Sequence, residues 1–153
     1  MKKLILLCMT ALCSIGIFAA PLDATSIDAS AKILKVFHLN FPEVSNHSIL
    51  NLGNVYMVYF NNEENNSSCR MYYDTNGNVL ETVRYYTGEK LSPFVRAKIN
   101  SRFKGKSIFM VTDVTNDNEH FYQVILQDAA SMLVVHVNYN GSMHLQKKYK
   151  RAS

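Results

Sequence analysis

YYDTNGNVLETVRYY, residues 72–86, sets a turn-forming Asp-Thr-Asn-Gly between two runs of apolar and aromatic residues, and HVNYNGSMHLQKKY, residues 136–149, repeats the layout. Each reads as a β-hairpin, and the length of its loop decides which side chains share a face, because a slip of one residue exchanges the two faces. A two-residue Asn-Gly turn would set Val137 opposite His144 and Val135 opposite Gln146, mixing apolar with polar. A three-residue loop closed by Gly141 in the left-handed conformation pairs Val137 with Met143 and Val135 with Leu145, which sorts the faces. The three-residue register is therefore preferred. Applied to the first hairpin, it puts Cys69, Met71, Tyr73, Val79 and Val83 on a buried face and Arg70, Tyr72, Leu80, Thr82, Arg84 and Tyr86 on the opposite one. Glu81 is then a misfit on the buried side.

Working outward, SAKILKVFHLNF, residues 30–41, places Leu34, Phe37, His38 and Phe41 on one helical stripe, and Pro42 stops the helix. SPFVRAKINSRFKG, residues 92–105, predicts a second helix with Ser92 as N-cap, Pro93 in the first turn, Gly105 as terminator and a stripe of Val95, Ile99 and Phe103. Strand character follows each helix, near 47–52, 54–61, 68–74 and 78–86, then near 107–115, 120–127, 131–138 and 142–149. Setting Phe41 on Phe103, Tyr56 on Tyr122, Gly77 on Gly141 and Tyr85 on Tyr149 aligns the halves. The expected fold is α+β: two tandem α-β-β-β-β repeats, 28–88 and 89–150, in one domain, with antiparallel strands, helices packed on one face and the other face open. In the central strands Tyr56, Val58, Phe60, Tyr122, Val124 and Leu126 look inward, while Met57, Tyr59, Gln123 and Ile125 look out. In the second half the open face carries Val134, His136, His144, Gln146 and Lys148.

Residues 1–20, MKKLILLCMTALCSIGIFAA, have the layout of a cleavable Sec-type signal peptide: Lys2 and Lys3, an uncharged apolar run from Leu4 to about Phe18, then Ala19 and Ala20. The run is shorter than the roughly 20 apolar residues that span a bilayer, and no second one follows, so no integral membrane segment is expected after cleavage. Cys13 follows Leu12 and lacks the small neighbour of a lipoprotein signal. Of 3 cysteines, cleavage leaves Cys69 alone, so no internal disulfide can form and the core must hold the fold. Taking Lys2 and Lys3 from the 16 basic residues leaves 14 against 12 acidic, too balanced for a nucleic-acid partner. Lys147, Lys148, Lys150 and Arg151 suit a charged last strand that resists edge-to-edge pairing.

The open face thus offers Met57, Tyr59, Arg70, Tyr72, Arg84, Tyr86, His136 and His144, of which Tyr and Arg are types favoured at protein interfaces. The bland alternative is that a curved sheet buries these groups against its neighbouring half. His136 and His144 are cross-strand neighbours, yet two imidazoles lack the third ligand that zinc requires, so no metal is assigned. Cys69 points at the core, Asp74 serves the turn, and no catalytic or phosphate-loop motif occurs. No cofactor and no enzymatic activity are expected. The second reading is a carrier of a small apolar ligand between sheet and helices, and an unrecognised hydrolase comes third.

The helix ending in FP, the VYMVYF strand, the YYDTNGNVLE hairpin, the LSPFVRAKI helix and the FYQVIL strand resemble the small bacterial periplasmic proteins called PepSY-like, which share a tandem-repeat fold with beta-lactamase-inhibitor protein (BLIP). The resemblance runs from about Ala31 to Tyr149. Two departures stand out: the second turn, NYNG, lacks the aspartate, and the strand before VYMVYF lacks a tryptophan. The resemblance implies a non-enzymatic module of the periplasm, or a secreted one, that docks or inhibits a protein partner of the cell envelope through its exposed sheet face.

Overall fold

A computed structural model of the chain describes residues 24–63 and 66–151; the signal-peptide reading of residues 1–20 lies outside them. The element order is α1 (Ala24–Asn40), β1 (His47–Asn51), β2 (Val55–Asn62), β3 (Ser67–Asp74), β4 (Val79–Tyr86), a 3-10 turn (Gly88–Lys90), α2 (Pro93–Arg102), β5 (Ser107–Asn116), β6 (His120–Gln127), β7 (Ser131–Asn138) and β8 (Met143–Lys150). The eight strands form one antiparallel sheet in sequence order, so each pairs with its neighbours in the chain. The architecture is α+β, and among the described residues no helix is long and apolar enough to cross a membrane.

Each helix buries a stripe against the strands that follow it. Under α1, Ile33 and Phe37 pack on Tyr56, Val58, Phe60, Cys69, Met71 and Tyr73, with Ala29, Val36 and Phe41 at the margin. Ile33 rather than Leu34 is the buried member, and His38 is exposed. The stripe is rotated from the expected one toward Ala29, Ile33, Phe37 and Phe41, which keeps the imidazole of His38 out of the buried apolar cluster. Under α2, Val95 and Ile99 pack with Leu91 on Val111, Val124, Leu126, Leu133, Val135 and Val137, and Phe103 is partly buried beside them. The Ser92 side chain accepts a hydrogen bond from the Val95 N–H at 3.3 Å, capping α2 as the sequence predicts.

Both hairpin loops have three residues. Gly77 N–H donates to Asp74 O and Gly141 N–H to Asn138 O, while Asp74 pairs with Asn78 and Asn138 with Ser142 across the loop ends. Gly77 and Gly141 have φ of 85° and 82°, the left-handed region that glycine enters without a Cβ clash. Val137 faces Met143 and Val135 faces Leu145, as expected.

Beyond the turns, each hairpin departs from simple alternation. In β3–β4 the register shifts between Tyr72 and Tyr73: Tyr73 pairs with Val79 and Tyr72 with Glu81, leaving Leu80 as an extra residue. In β7–β8 Val135 pairs with Leu145 and Val134 with Lys147, leaving Gln146 extra. Each bulge reverses the facing of the residues after it. Val83 therefore sits opposite Arg70 on the uncovered face, whereas Thr82, Arg84 and Lys148 turn to the helix side, opposite Met71, Cys69 and Leu133. Burial supplies the reason. An unbroken register would set Glu81 against Met71 in the α1 core, where an unpaired carboxylate is costly; the bulge moves it beside Tyr72.

Candidate functional site

The strand pairings place Met57, Tyr59, Arg70, Tyr72, His136 and His144 on the face that neither helix covers. Arg84 and Tyr86, expected there too, lie on the helix side, opposite Asp113 and Val111. The β4 bulge is the cause, and the misplaced Glu81 was its signal in the sequence. The uncovered face gains Tyr85 in exchange: the Arg70 guanidinium lies over the Tyr85 ring, 5.1 Å from its centre, a cation–π contact. Val83, paired with Arg70 on the same face, is buried.

Toward β8 the same face carries a three-ring ladder. Phe121 stacks on His136 at 4.5 Å and His136 on His144 at 4.6 Å, with ring planes 20° and 24° apart. Phe121 is the member the sequence reading missed; it stands one strand over in β6, next to Asn138 in the ladder. Near-parallel imidazoles direct their ring nitrogens side by side and not toward a common point, and His136 Nε2 is already 2.9 Å from Asn138 Oδ1. Among the described residues no group of three or more His, Cys, Asp or Glu side chains could hold a metal ion.

On the helix side, the middle strands β4 and β5 meet between the two helix-covered cores. Asp113 is buried there and accepts from Tyr86 OH at 3.2 Å through Oδ2, while Oδ1 is 2.9 Å from His120 Nε2. Arg84 approaches Asp113 Oδ2 at 3.8 Å, an ion pair beyond hydrogen-bond reach. Burial first, and then the Asp113 charge, push the Tyr86 phenol well above its usual range. Tyr86 is therefore held as a neutral donor. A cleft of about 540 Å³ opens beside this group, between Phe41, Phe60, Cys69 and Met71 on one side and Thr82, Arg84, Lys90 and Asp113 on the other. Cys69 is a buried free thiol, and desolvation raises its pKa, which suppresses the reactive thiolate.

An eight-stranded meander with two helices on one face is an arrangement already known from solved structures. The chain has the fold of the BLIP-like proteins. A BLIP-like protein from Bacteroides fragilis superposes with a TM-score of 0.60 at 15% sequence identity, over 78% of this chain and 84% of that one. A DUF2874 family protein from Bacteroides ovatus gives 0.60 at 14% identity, over 78% and 85% of the two chains. A predicted periplasmic protein from Bacteroides eggerthii gives 0.61 at 9% identity, over 78% and 86%. No protein-family model matches the sequence, and no curated protein does. At these identities the likeness is one of fold, and no side chain of either face is carried across by it.

Proposed function

We propose that this protein is an exported, non-enzymatic binding module of the bacterial envelope that holds a protein partner on its uncovered sheet face. The observation that carries the reading is the chemistry of that face. Met57, Tyr59, Arg70, Tyr72, Tyr85, Phe121, His136 and His144 stand among the Glu81, Thr112 and Lys147 that a merely solvated sheet would carry. Tyr and Arg bring large contact area with a polar end, and the Arg70–Tyr85 stack holds two of them in place before any partner arrives. The periplasmic relative, the BLIP-like relative and the N-terminal signal layout support location and class. The repetition of a helix plus four strands, each with a glycine-closed hairpin, supports descent from two tandem repeats, 28–88 and 89–150.

Affinity capture from the native envelope tests the reading. Arg70→Ala with Tyr72→Ala should release the captured protein, while Arg84→Ala, on the other face, should leave it bound. Equal retention by both variants would refute the surface assignment.

A further inference from the structure

The helix-side cleft is separate from the partner face and has a chemistry of its own. Its charged lining is Arg84, Lys90 and Asp113, two cations and one carboxylate. The carboxylate is already engaged at both oxygens, by His120 and Tyr86. Arg84 is left with a side chain 49% exposed and its Nη2 3.8 Å from Asp113 Oδ2. A guanidinium has five N–H donors in a planar fork suited to a carboxylate, and none of them is spent on a hydrogen bond to the described residues. The opposite wall carries the Phe41 and Phe60 rings, 5.0 Å apart between centres, and Met71, with Asn62 and Ser67 alongside. Methionine is a pliable lining that adapts to an alkyl chain.

We infer that the cleft binds a small carboxylate with an apolar tail, the carboxylate on Arg84 and Lys90 and the tail on Phe41, Phe60 and Met71. A volume of about 540 Å³ lies within the roughly 300–1,000 Å³ typical of small-molecule sites. The polarity of the site runs one way. An anionic head satisfies two cations whose side chains have no hydrogen-bonded acceptor among the described residues, whereas a cationic head would meet them with only the engaged Asp113 to offset the repulsion. The β4 bulge is what creates the site, since it delivers Arg84 to this face opposite Cys69. In the unbroken register the cleft would have lost its principal cation.

Decanoate and decyltrimethylammonium, which share a ten-carbon chain and differ in head charge, form the test. Titrated calorimetrically into the purified protein below their micellar concentrations, decanoate should bind saturably at one site and decyltrimethylammonium should not. Arg84→Met keeps much of the side-chain length and removes the charge, so it should weaken decanoate about tenfold or more. Lys90→Ala, on an exposed turn, should weaken it by less, and serves if the Arg84 variant fails to fold. Tyr72→Ala, on the partner face, should leave decanoate affinity unchanged. Absence of saturable decanoate binding, equal binding of the ammonium analogue, or undiminished affinity in whichever of the two cation variants folds would overturn the proposal.

Discussion

The two halves solve the same packing problem with different side chains. Beneath α1 the core is aromatic: Phe37 lies 5.0 Å from Phe60 and 5.3 Å from both Phe41 and His47, with Tyr56 and Tyr73 buried nearby. Beneath α2 it is aliphatic, built from Val95, Ile99, Val111, Val124, Leu126, Val135 and Val137. The helices differ likewise, with 17 residues in α1 and 10 in α2. A helix over a four-strand meander thus fixes where apolar volume must go and leaves open how it is filled. What the halves share is element order and glycine-closed hairpins, not the residues that fill their cores.

The sharpest way to break this comparison is to hollow out each core. Phe37→Ala should cost about 3–5 kcal/mol, and Leu126→Ala about 2–5 kcal/mol. Because β4 and β5 join the halves in one sheet, urea unfolding of either variant should remain a single transition. Two separate transitions would show that the halves melt independently.

Next in size are the glycines that close the hairpins. Alanine at either must adopt a left-handed conformation costing about 1–2 kcal/mol. At Gly141 a Cβ would also meet Lys98 Cδ at 2.7 Å and Phe94 Cε1 at 3.1 Å, whereas at Gly77 it meets only Val36 Cγ2 at 3.4 Å. Gly141→Ala should therefore lower the denaturation midpoint more than Gly77→Ala, and Lys98→Ala should narrow the gap.

A smaller effect is expected from deleting Leu80, the half-exposed extra residue of the β4 bulge. Regular pairing through Val79, Glu81 and Thr82 then keeps every other side chain on its present face, so stability should change by no more than about 1 kcal/mol. Retention of the Arg84–Asp113 pairing by NMR would support the bulge assignment, and a large loss of stability would contradict it.

The smallest effects lie in the acid range. Hydrogen bonds from Lys106 and from the Ser131 and Ala130 amides hold Asp128 far below its usual 3.8; Asn78 lowers Asp74, by its side chain and its backbone N–H. Each depressed carboxylate contributes stability above its unfolded pKa and loses it as pH falls through the folded value. Asp128→Asn should flatten the stability profile below about pH 4 more than Asp74→Asn does, as read by thermal midpoints at successive pH values.

Much of this was legible in the chain. Ser92, Pro42 and the two glycines announce the helix ends and hairpins through local backbone chemistry, and the strand limits follow. The facing of β4 beyond Leu80 was not, because a bulge is decided by what the far end of a strand would otherwise bury. Glu81 recorded that conflict, and reading it as a register break rather than a misfit would have moved Arg84 and Tyr86 to the correct side. The Asp113–His120–Tyr86 group escaped notice because strands β4 to β6 bring it together only after folding, and Phe121 because its ring partner stands on β7.

The join at β4 and β5 sets the last strand of one helix-bearing set against the first strand of the next. Such a head-to-tail contact does not close on itself; in principle further sets could be added and the ribbon would lengthen without limit. At the far edge of the sheet β8 carries Lys147, Lys148 and Lys150, ammonium groups that another strand pairing there would crowd and desolvate. Three lysines thereby make edge-on addition of a further strand costly in a geometry that leaves its edge open.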